Sequence, residues 1–273
     1  MSEKSRSNWP ILIWMQPSGG GRKMVNAFLQ RLSQAADLTD GELSAVDELC
    51  RQPKDIAAKK YLSRDGDEMV SFPVVLSGWA ARYQILRDGA RQITRLLLPG
   101  DAFYFGSAPN GVAIEEVITL SPCKIVNILY SDMRRLIDRF PAIGEAMRTY
   151  GCMENAILAS WVVNVGRRDA LERMAHLICE SHYRLALVDL DQGQQIHFPL
   201  TQDDLADVLG LTPVHINRKL QQLRQDDLIT LRCKQLTIHD LRALQQVAGF
   251  DPAYLTPRAQ SQPDQQSPRA AAA

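Results

Sequence analysis

Residues 212–224 combine cationic, amide and apolar side chains in one short segment that contains no acidic residue. An arginine such as Arg218 can donate two hydrogen bonds to the edge of a guanine, and an amide such as Asn217 can pair with an adenine. An apolar side chain such as Val214 can contact the methyl group of a thymine, and His215 adds a polar group beside them. The chemistry that this segment suits is therefore the reading of base edges in a DNA groove.

A helix must hold these side chains on one face, and the local sequence predicts one. Thr212 is suited to be its N-cap and Pro213 to be its first residue. Three apolar residues then recur at helical spacing and form an inward face: Ile216, Leu220 and Leu223. Residues 201–210 predict a preceding helix, with Thr201 in front of it and Gly210 at its end. The pair is a candidate helix-turn-helix.

Charge distinguishes the two predicted helices. The first carries Asp203, Asp204 and Asp207, whereas the second carries Arg218, Lys219 and Arg224. The formal net charge of the chain is zero, so attraction for a polyanion has to come from local segregation of charge. The first helix is expected to repel phosphate and the second to attract it. This contrast favours a DNA reader over the alternative, a plain helical hairpin with a solvated face.

A compact β structure is predicted upstream. Glycines punctuate apolar runs there at intervals of eleven or twelve residues, at Gly66, Gly78, Gly89 and Gly100. Such spacing is typical of short antiparallel strands closed by tight turns. Between two of the glycines, Tyr83 and Ile85 alternate with Arg82 and Gln84, so one face is apolar and the other is wet.

The period then changes to that of a helix. Ser131 is a candidate cap for residues 132–140, and Pro141 is placed to begin a long helix. An apolar stripe follows at steps of four, three, seven and four: Ile143, Met147, Tyr150, Ile157 and Trp161. Because a stripe of this length needs a partner surface, we interpret it as a dimer seam. Packing of the helix on its own domain is the alternative.

The remaining segments complete the C-terminal half. Residues 167–185 predict another helix, residues 189–200 resemble a short hairpin, and residues 228–240 contain two β-branched runs that could form a wing. His176 and His182 lack the spacing of a metal set, so we expect satisfied core or surface residues.

The whole order of elements resembles that of the Crp/Fnr family, the relatives of the cyclic-AMP receptor protein and the fumarate/nitrate regulator. The likeness covers about residues 28–250 and includes VVLSGWAARYQILRDGARQI, LLLPGD and LTQDDLADVLGLTPVHINRKLQQLRQDDLI. It implies an α+β fold with an N-terminal cyclic-nucleotide-binding-like β-roll, a long dimerisation helix and a C-terminal winged helix-turn-helix. It further implies a homodimeric regulator of transcription that binds a near-palindromic site in double-stranded DNA and acts with RNA polymerase.

The resemblance also assigns roles to single residues. Arg218 falls on the family's base-reading arginine, and Thr212 and Gln202 fall where the DNA backbone is gripped. Val214 stands where the family has a recognition glutamate, so the usual half-site is not implied. We therefore expect base reading by Val214, His215, Asn217 and Arg218, and phosphate contacts from Gln202, Thr212 and Lys219.

The signal that such a roll would sense is not evident from the sequence. A cyclic nucleotide would need a basic partner for its phosphate, but residues 101–123 contain no arginine or lysine and place Glu115 and Glu116 there instead. An iron-sulfur cluster would need several close thiolates, yet the first cysteine is Cys50, and haem would need a histidine, yet the sensor half has none before His176. We predict no cofactor, and an unknown small effector remains possible.

A lone reactive thiol is an open alternative at Cys50, Cys123 or Cys152, although a buried, inert cysteine is the commoner case. The scattered cysteines and the lack of a signal peptide or a membrane-length apolar run indicate a cytoplasmic protein without membrane contact. No nucleophile-base pair or metal spacing is visible in the sequence, so we do not expect an enzyme. The main alternative is an effector-binding signalling module whose helix-turn-helix contacts protein rather than DNA.

Five segments are expected along the chain. They are a flexible leader at residues 1–24, the β-roll sensor domain at 25–135, the dimerisation helix at 136–166, the DNA-binding domain at 167–250 and a disordered tail at 251–273. Met24 begins an amphipathic pattern and is a second candidate for the natural start of the chain.

Overall fold

A computed structural model describes residues 26–103, 111–191 and 193–257. The helices are α1 (Ala27–Ala35), α2 (Asp40–Leu49), α3 (Tyr130–Arg139), α4 (Pro141–Arg167), α5 (Ala170–Ala186), α6 (Gln202–Leu209), α7 (Pro213–Gln225) and α8 (Leu241–Ala248), with a 3₁₀ turn at Pro252–Leu255. The strands are β1 (Lys54–Ile56), β2 (Tyr61–Ser63), β3 (Ser71–Ser77), β4 (Ala80–Ile85), β5 (Arg91–Leu97), β6 (Glu116–Thr119), β7 (Cys123–Leu129), β8 (Gln195–His197), β9 (Ile229–Arg232) and β10 (Gln235–Ile238). The predicted α+β class is confirmed.

Two antiparallel sheets form the N-terminal β-rich region. One has the strand order β2-β6-β4-β5 and the other the order β1-β7-β3. The four glycines that were predicted to close turns all have positive φ. At Gly100 the requirement is also steric, because a Cβ there would lie 2.5 Å from Cγ of Arg31. The turn after β5 therefore lets α1 approach closely.

The α4 stripe that was interpreted as a dimer seam packs instead on the chain's own residues, which was the alternative. Ile143, Met147, Tyr150 and Ile157 are buried within the chain itself, and Trp161 is half-buried and donates a hydrogen bond from Nε1 to Glu180 at 3.1 Å. Helical periodicity identifies an apolar face but does not say what covers it. Here the sensor sheets, α1 and α5 cover it.

Several predicted boundaries also change. Pro141 does begin α4, but residue 136, the expected start of the dimerisation helix, lies inside α3. Ser131 is not the cap of α3, because that helix already begins at Tyr130. Residues 1–24, predicted as a leader, lie outside the described residues, and the amphipathic pattern at Met24 becomes a helix only from Ala27, with Asn26 as its cap.

The C-terminal half confirms the wing and corrects two other predictions. Strands β9 and β10 form the predicted antiparallel hairpin. Residues 189–200 are not a hairpin, since β8 pairs with β10 instead. The predicted tail does not begin at residue 251, because Leu255 is buried and the Tyr254 hydroxyl donates a hydrogen bond to Glu180 at 2.7 Å. Residues 258–273 lie outside the described part of the chain.

One hydrophobic core joins the four-stranded sheet to the C-terminal helices. Trp79 after β3 packs edge-on against Phe198 after β8, with ring centroids 5.5 Å apart. Tyr83, Leu205 and Val208 belong to the same buried cluster. The sensor sheet and α6 therefore share an interior. Within the described ranges, no helix is both long and apolar enough to cross a bilayer.

Candidate nucleic-acid interface

Helix α7 begins as the sequence predicts. The Thr212 side chain accepts a hydrogen bond from the backbone N–H of His215 at 3.3 Å, and Pro213 is the first helical residue. Gly210 ends α6 in the left-handed conformation, with φ of 63°. Cap, proline and glycine thus fix the angle between the two helices through local geometry.

The two faces of α7 separate cleanly. Its inward face is buried, and consists of Ile216, Leu220 and Leu223. The four residues predicted to read bases are all exposed: Val214, His215, Asn217 and Arg218. Val214 is 61% exposed although it is apolar. An exposed apolar side chain at the start of this helix is suited to contact with a thymine methyl.

The three residues predicted to grip phosphate lie around this face. Gln202 and Thr212 are exposed, each at the first turn of its helix. Lys219 is half-buried, and its Nζ donates a hydrogen bond to Gln222 at 3.2 Å. Its charge also helps to lower the pKa of Asp169, the N-cap of α5, although the main cause is a hydrogen bond from the backbone of Glu172. Lys219 therefore lies on the flank of α7 that faces the start of α5.

The acidic residues of α6 do not act as the sequence suggested. Asp204 is buried and pairs with Arg91 of β5 and with Lys59 of the β1–β2 turn, at 3.1 and 3.3 Å. Asp207 is half-buried and pairs with Arg91 at 2.6 Å. Two of the three acids are thus neutralised by the sensor half, and the expected repulsion of phosphate is confined to exposed Asp203.

The two oxygens of Asp204 have different tasks. Its Oδ2 accepts hydrogen bonds from the backbone N–H and the hydroxyl of Thr201, at 3.1 and 2.7 Å, and closes a capping box. Its Oδ1 receives Arg91 and Lys59. Burial alone raises the pKa of the Asp204 carboxyl, but the bonds from Thr201 and the charge of Lys59 outweigh it, so the pKa is lowered. The carboxylate stays ionised and ties α6 to the sensor half.

Two groups of surface residues were not anticipated from the sequence. Gln221 is exposed and follows Val214 and Arg218 along α7 at helical spacing, a signal that the sequence did contain. Arg232 and Lys234 are exposed at the tip of the wing, where Cys233 and Lys234 both have positive φ. A two-residue turn of this kind is typical of a tight hairpin, and it presents basic side chains beside α7.

The two acids that the sequence places where a nucleotide phosphate would need a basic partner both have partners within the chain. Glu115 is buried in an ion pair with Arg82 and accepts a hydrogen bond from Thr94 at 2.8 Å. Glu116 accepts a hydrogen bond from the Tyr83 hydroxyl. Both carboxylates are thus engaged within the chain.

The cysteines and histidines are dispersed. Cys50 and Cys123 are buried, and burial raises the pKa of each thiol to about 11. Cys152 is exposed on α4. Nε2 of His182 lies 2.9 Å from the carbonyl oxygen of Gly193, whereas His176 is buried among aromatic rings. Across the described ranges, no three histidine, cysteine or acidic side chains are grouped so as to hold a metal ion.

Comparison with known proteins gives matches on both halves of the chain. Residues 53–140 match the family described as cyclic nucleotide-binding domain, and residues 172–247 match the Crp-like helix-turn-helix domain. Together they cover more than half of the chain.

Relatives are similar to this chain over most of its length. Transcriptional activator protein FnrL of Cereibacter sphaeroides is 26% identical over 78% of this chain and 86% of its own length. The fumarate and nitrate reduction regulatory protein of Escherichia coli K12 is 26% identical over 88% of this chain and 95% of its own. The solved structure of FixK2 from Bradyrhizobium japonicum is 20% identical and superposes with a TM-score of 0.65, covering 72% of this chain and 96% of that one.

A β-rich sensor half, a long connecting helix and a winged helix-turn-helix define a DNA-binding regulator of transcription. The resemblance inferred from the sequence is confirmed. The chain belongs to the Crp/Fnr family.

Proposed function

We propose that the chain works as a homodimer that binds a near-palindromic site in double-stranded DNA and places α7 in the major groove. The observation that carries this proposal is the exposed, acid-free face of α7, with Val214, His215, Asn217 and Arg218 outward and an apolar face inward. In a dimer, two such helices read half-sites roughly 34 to 36 Å apart.

The exposed residues have complementary roles in this proposal. Arg218 donates two hydrogen bonds to a guanine, Val214 contacts a thymine methyl, and His215 and Asn217 read the neighbouring base edges. Phosphates are held by Gln202, Thr212 and Lys219, and by the wing residues Arg232 and Lys234. Because Val214 takes the place of an acid, the half-site differs from that of relatives with a glutamate there.

A different face of α4 supports the dimer. Leu158, Val162 and Val165 are 51, 64 and 37% exposed, and they recur at steps of four and three. Each large apolar side chain gains about 1.5 to 3 kcal/mol on full burial. A second copy of α4 that packs along this face would bury the stripe as a coiled-coil seam. We therefore move the proposed seam from the Ile143–Trp161 face to this one.

The sensor half completes the proposal. Helix α4 ends at Arg167 and α5 begins at Ala170. We place the division between the dimerisation helix and the DNA-binding domain at this junction. The regulator would act in the cytoplasm at promoters, in contact with RNA polymerase, and without a catalytic step. We expect its effector to be a small molecule other than cyclic AMP, or that it has none.

The test compares two neighbouring cations on α7. Arg218→Ala should weaken binding to the cognate site by about 1 to 3 kcal/mol and remove the preference for one guanine in each half-site. Lys219→Ala should weaken binding to all sequences alike. It should also reduce the slope of log affinity against log salt concentration by about one per subunit. Bound sites selected from a random duplex pool, followed by anisotropy titrations at several salt concentrations, measure both effects.

Two outcomes would count against this assignment. If Arg218→Ala lowers affinity uniformly and leaves every base preference intact, Arg218 is a phosphate clamp. If the native protein binds cognate and scrambled duplexes equally, the helix-turn-helix serves another purpose, and contact with a protein becomes the better interpretation.

A further inference from the structure

Arg173 of α5 joins the C-terminal ends of two other helices. Its Nε donates a hydrogen bond to the carbonyl of Arg168, the C-cap of α4, at 2.9 Å, and its Nη1 donates to the carbonyl of Leu209, the last residue of α6, at 3.0 Å. The last carbonyl groups of a helix have no partner within it and carry the negative end of its dipole, so a guanidinium between two such ends satisfies and attracts both. Because the guanidinium is planar, its two bonds restrain direction as well as distance. Arg173 therefore ties the end of α4 to the turn that precedes α7.

Gln92 of β5 holds the same turn from the sensor half. Its side-chain amide donates hydrogen bonds to the carbonyls of Asp207 and Val208, at 2.7 and 3.3 Å. A Cβ at Gly210, the residue that ends α6, would lie 3.9 Å from Nη1 of Arg173 and 3.9 Å from Oε1 of Gln92. Side chains from two separate elements thus converge on the turn between α6 and α7, and they supply the partners that the end of α6 lacks.

The connection from this turn to α7 is short and locally fixed. Only Gly210, Leu211 and Thr212 separate α6 from α7. The N–H of Leu211 donates to the carbonyl of Ala206 at 3.1 Å, and Thr212 caps α7. A displacement of the turn therefore displaces α7 as a whole. If two copies of α4 pair as proposed, the link from α4 through Arg173 to this turn determines how far each α7 lies from the axis of the dimer.

We propose that Arg173, supported by Gln92, fixes the separation of the two recognition helices and thereby the spacing between half-sites that the dimer accepts. Both are positioning residues, because they act through the α6–α7 turn and not on the DNA. Base reading within one half-site depends on the side chains of α7 and is independent of this role. The inference rests on the proposed function, since it requires a dimer through α4 with α7 in the major groove.

The experiment measures affinity against half-site spacing. Three duplexes carry the same half-sites at the preferred spacing, with one base pair inserted between them, and with one base pair removed. Each change moves one half-site by about 3.4 Å along the duplex and turns it by roughly 35°. Anisotropy titrations compare the native protein with Arg173→Ala, Gln92→Met and the matched control Arg167→Ala. Arg167 is an exposed cation at the end of α4, so its removal takes away the same charge without the link.

The native protein should bind the two altered spacings several-fold more weakly than the preferred one. In Arg173→Ala this ratio should fall toward one, while discrimination at the guanine assigned to Arg218 is retained. Gln92→Met should act in the same direction to a smaller extent, because Arg91 still holds α6. Arg167→Ala should keep the native ratio. A loss of folded protein alone lowers all three affinities by one factor, so it leaves the ratio unchanged.

The inference is overturned if Arg173→Ala keeps the native spacing ratio, if it loses spacing and base discrimination together, or if Arg167→Ala flattens the ratio equally. Should Arg173→Ala fail to fold, an unchanged ratio in Gln92→Met overturns it as well. Failure of the proposed function is distinguishable. A native protein without any base preference contradicts the recognition-helix proposal, whereas base preference combined with equal affinity for all three spacings contradicts only the present inference.

Discussion

Arg91 on β5 lies 3.1 Å from Asp204 on α6, so a sensor strand is ion-paired to the first helix of the DNA-binding motif. Arg91 also reaches Asp207 at 2.6 Å, and Asp204 is almost fully buried. Removing the guanidinium leaves a buried carboxylate with fewer partners, which is costly because a buried charge has lost its water.

We expect Arg91→Ala to lower the free energy of unfolding by about 1 to 3 kcal/mol, with Lys59 and Thr201 retaining part of the compensation. Urea denaturation measures this change. Arg87→Ala, in the exposed turn after β4, is the matched control and should fall within about 0.5 kcal/mol of the native value. Equal effects of the two substitutions would show that the ion pair contributes nothing to stability.

Substitution on the exposed face of α4 should dissociate the dimer without unfolding the chain. Leu158→Glu combined with Val162→Glu places charge in the proposed seam, and sedimentation should then report a monomer with unchanged helical circular dichroism. Ile157→Glu is the contrasting variant. Since Ile157 is fully buried in the chain's own core, this change should unfold the protein. A folded dimer from the double variant contradicts the seam.

Acid should destabilise the protein through His176. The pKa of this imidazole is lowered to about 4, mainly by burial; the charge of Glu180 opposes this shift and the charge of Arg168 adds to it. The unfolded chain takes up a proton near the ordinary pKa of 6.5, whereas the folded chain does not. Stability is therefore complete above about pH 6.5 and falls as the pH decreases toward 4, by at most about 1.4 kcal/mol per pH unit from this group.

His176→Gln removes this titration. Urea unfolding at several values between pH 7 and pH 5 measures how the free energy of unfolding falls with pH. This slope should be smaller for the variant, by an amount that corresponds to at most one proton. Parallel curves for the two proteins would mean that the imidazole binds protons equally in the folded and the unfolded chain, which contradicts a lowered pKa.

Cyclic AMP should have no effect on DNA binding. Glu115 and Glu116 are engaged with Arg82 and Tyr83, and carboxylates are unfavourable neighbours for a phosphate. Calorimetry at millimolar nucleotide should give only the heat of dilution. A micromolar dissociation constant together with tighter DNA binding would contradict this expectation.

The helix-turn-helix could be predicted from sequence because its determinants are local. Thr212, Pro213 and Gly210 act within a few residues of one another, and the structure places them at the cap, the first helical position and the left-handed end. The glycine turns of the roll are local in the same sense.

What the sequence did not predict depends on distant residues. The Tyr150 hydroxyl accepts a hydrogen bond from the N–H of Ala102 at 3.0 Å, so the apolar stripe of α4 is covered by the roll rather than by a partner. Asp204 pairs with a residue 113 positions earlier in the chain. A periodicity in one helix contains no information on either contact.

The packing of Trp79 against Phe198 limits which fragments and chimeras of this protein can fold. A C-terminal fragment that begins at α5 would expose the aromatic and aliphatic side chains that now meet the four-stranded sheet, and would leave Asp204 without Arg91 and Lys59. Such a fragment is a poor candidate for an autonomous DNA-binding module. A chimera that joins this DNA-binding half to another sensor domain would need a matching sheet surface in order to fold. That surface would have to supply an aromatic residue in the place of Trp79 and two cations in the places of Arg91 and Lys59.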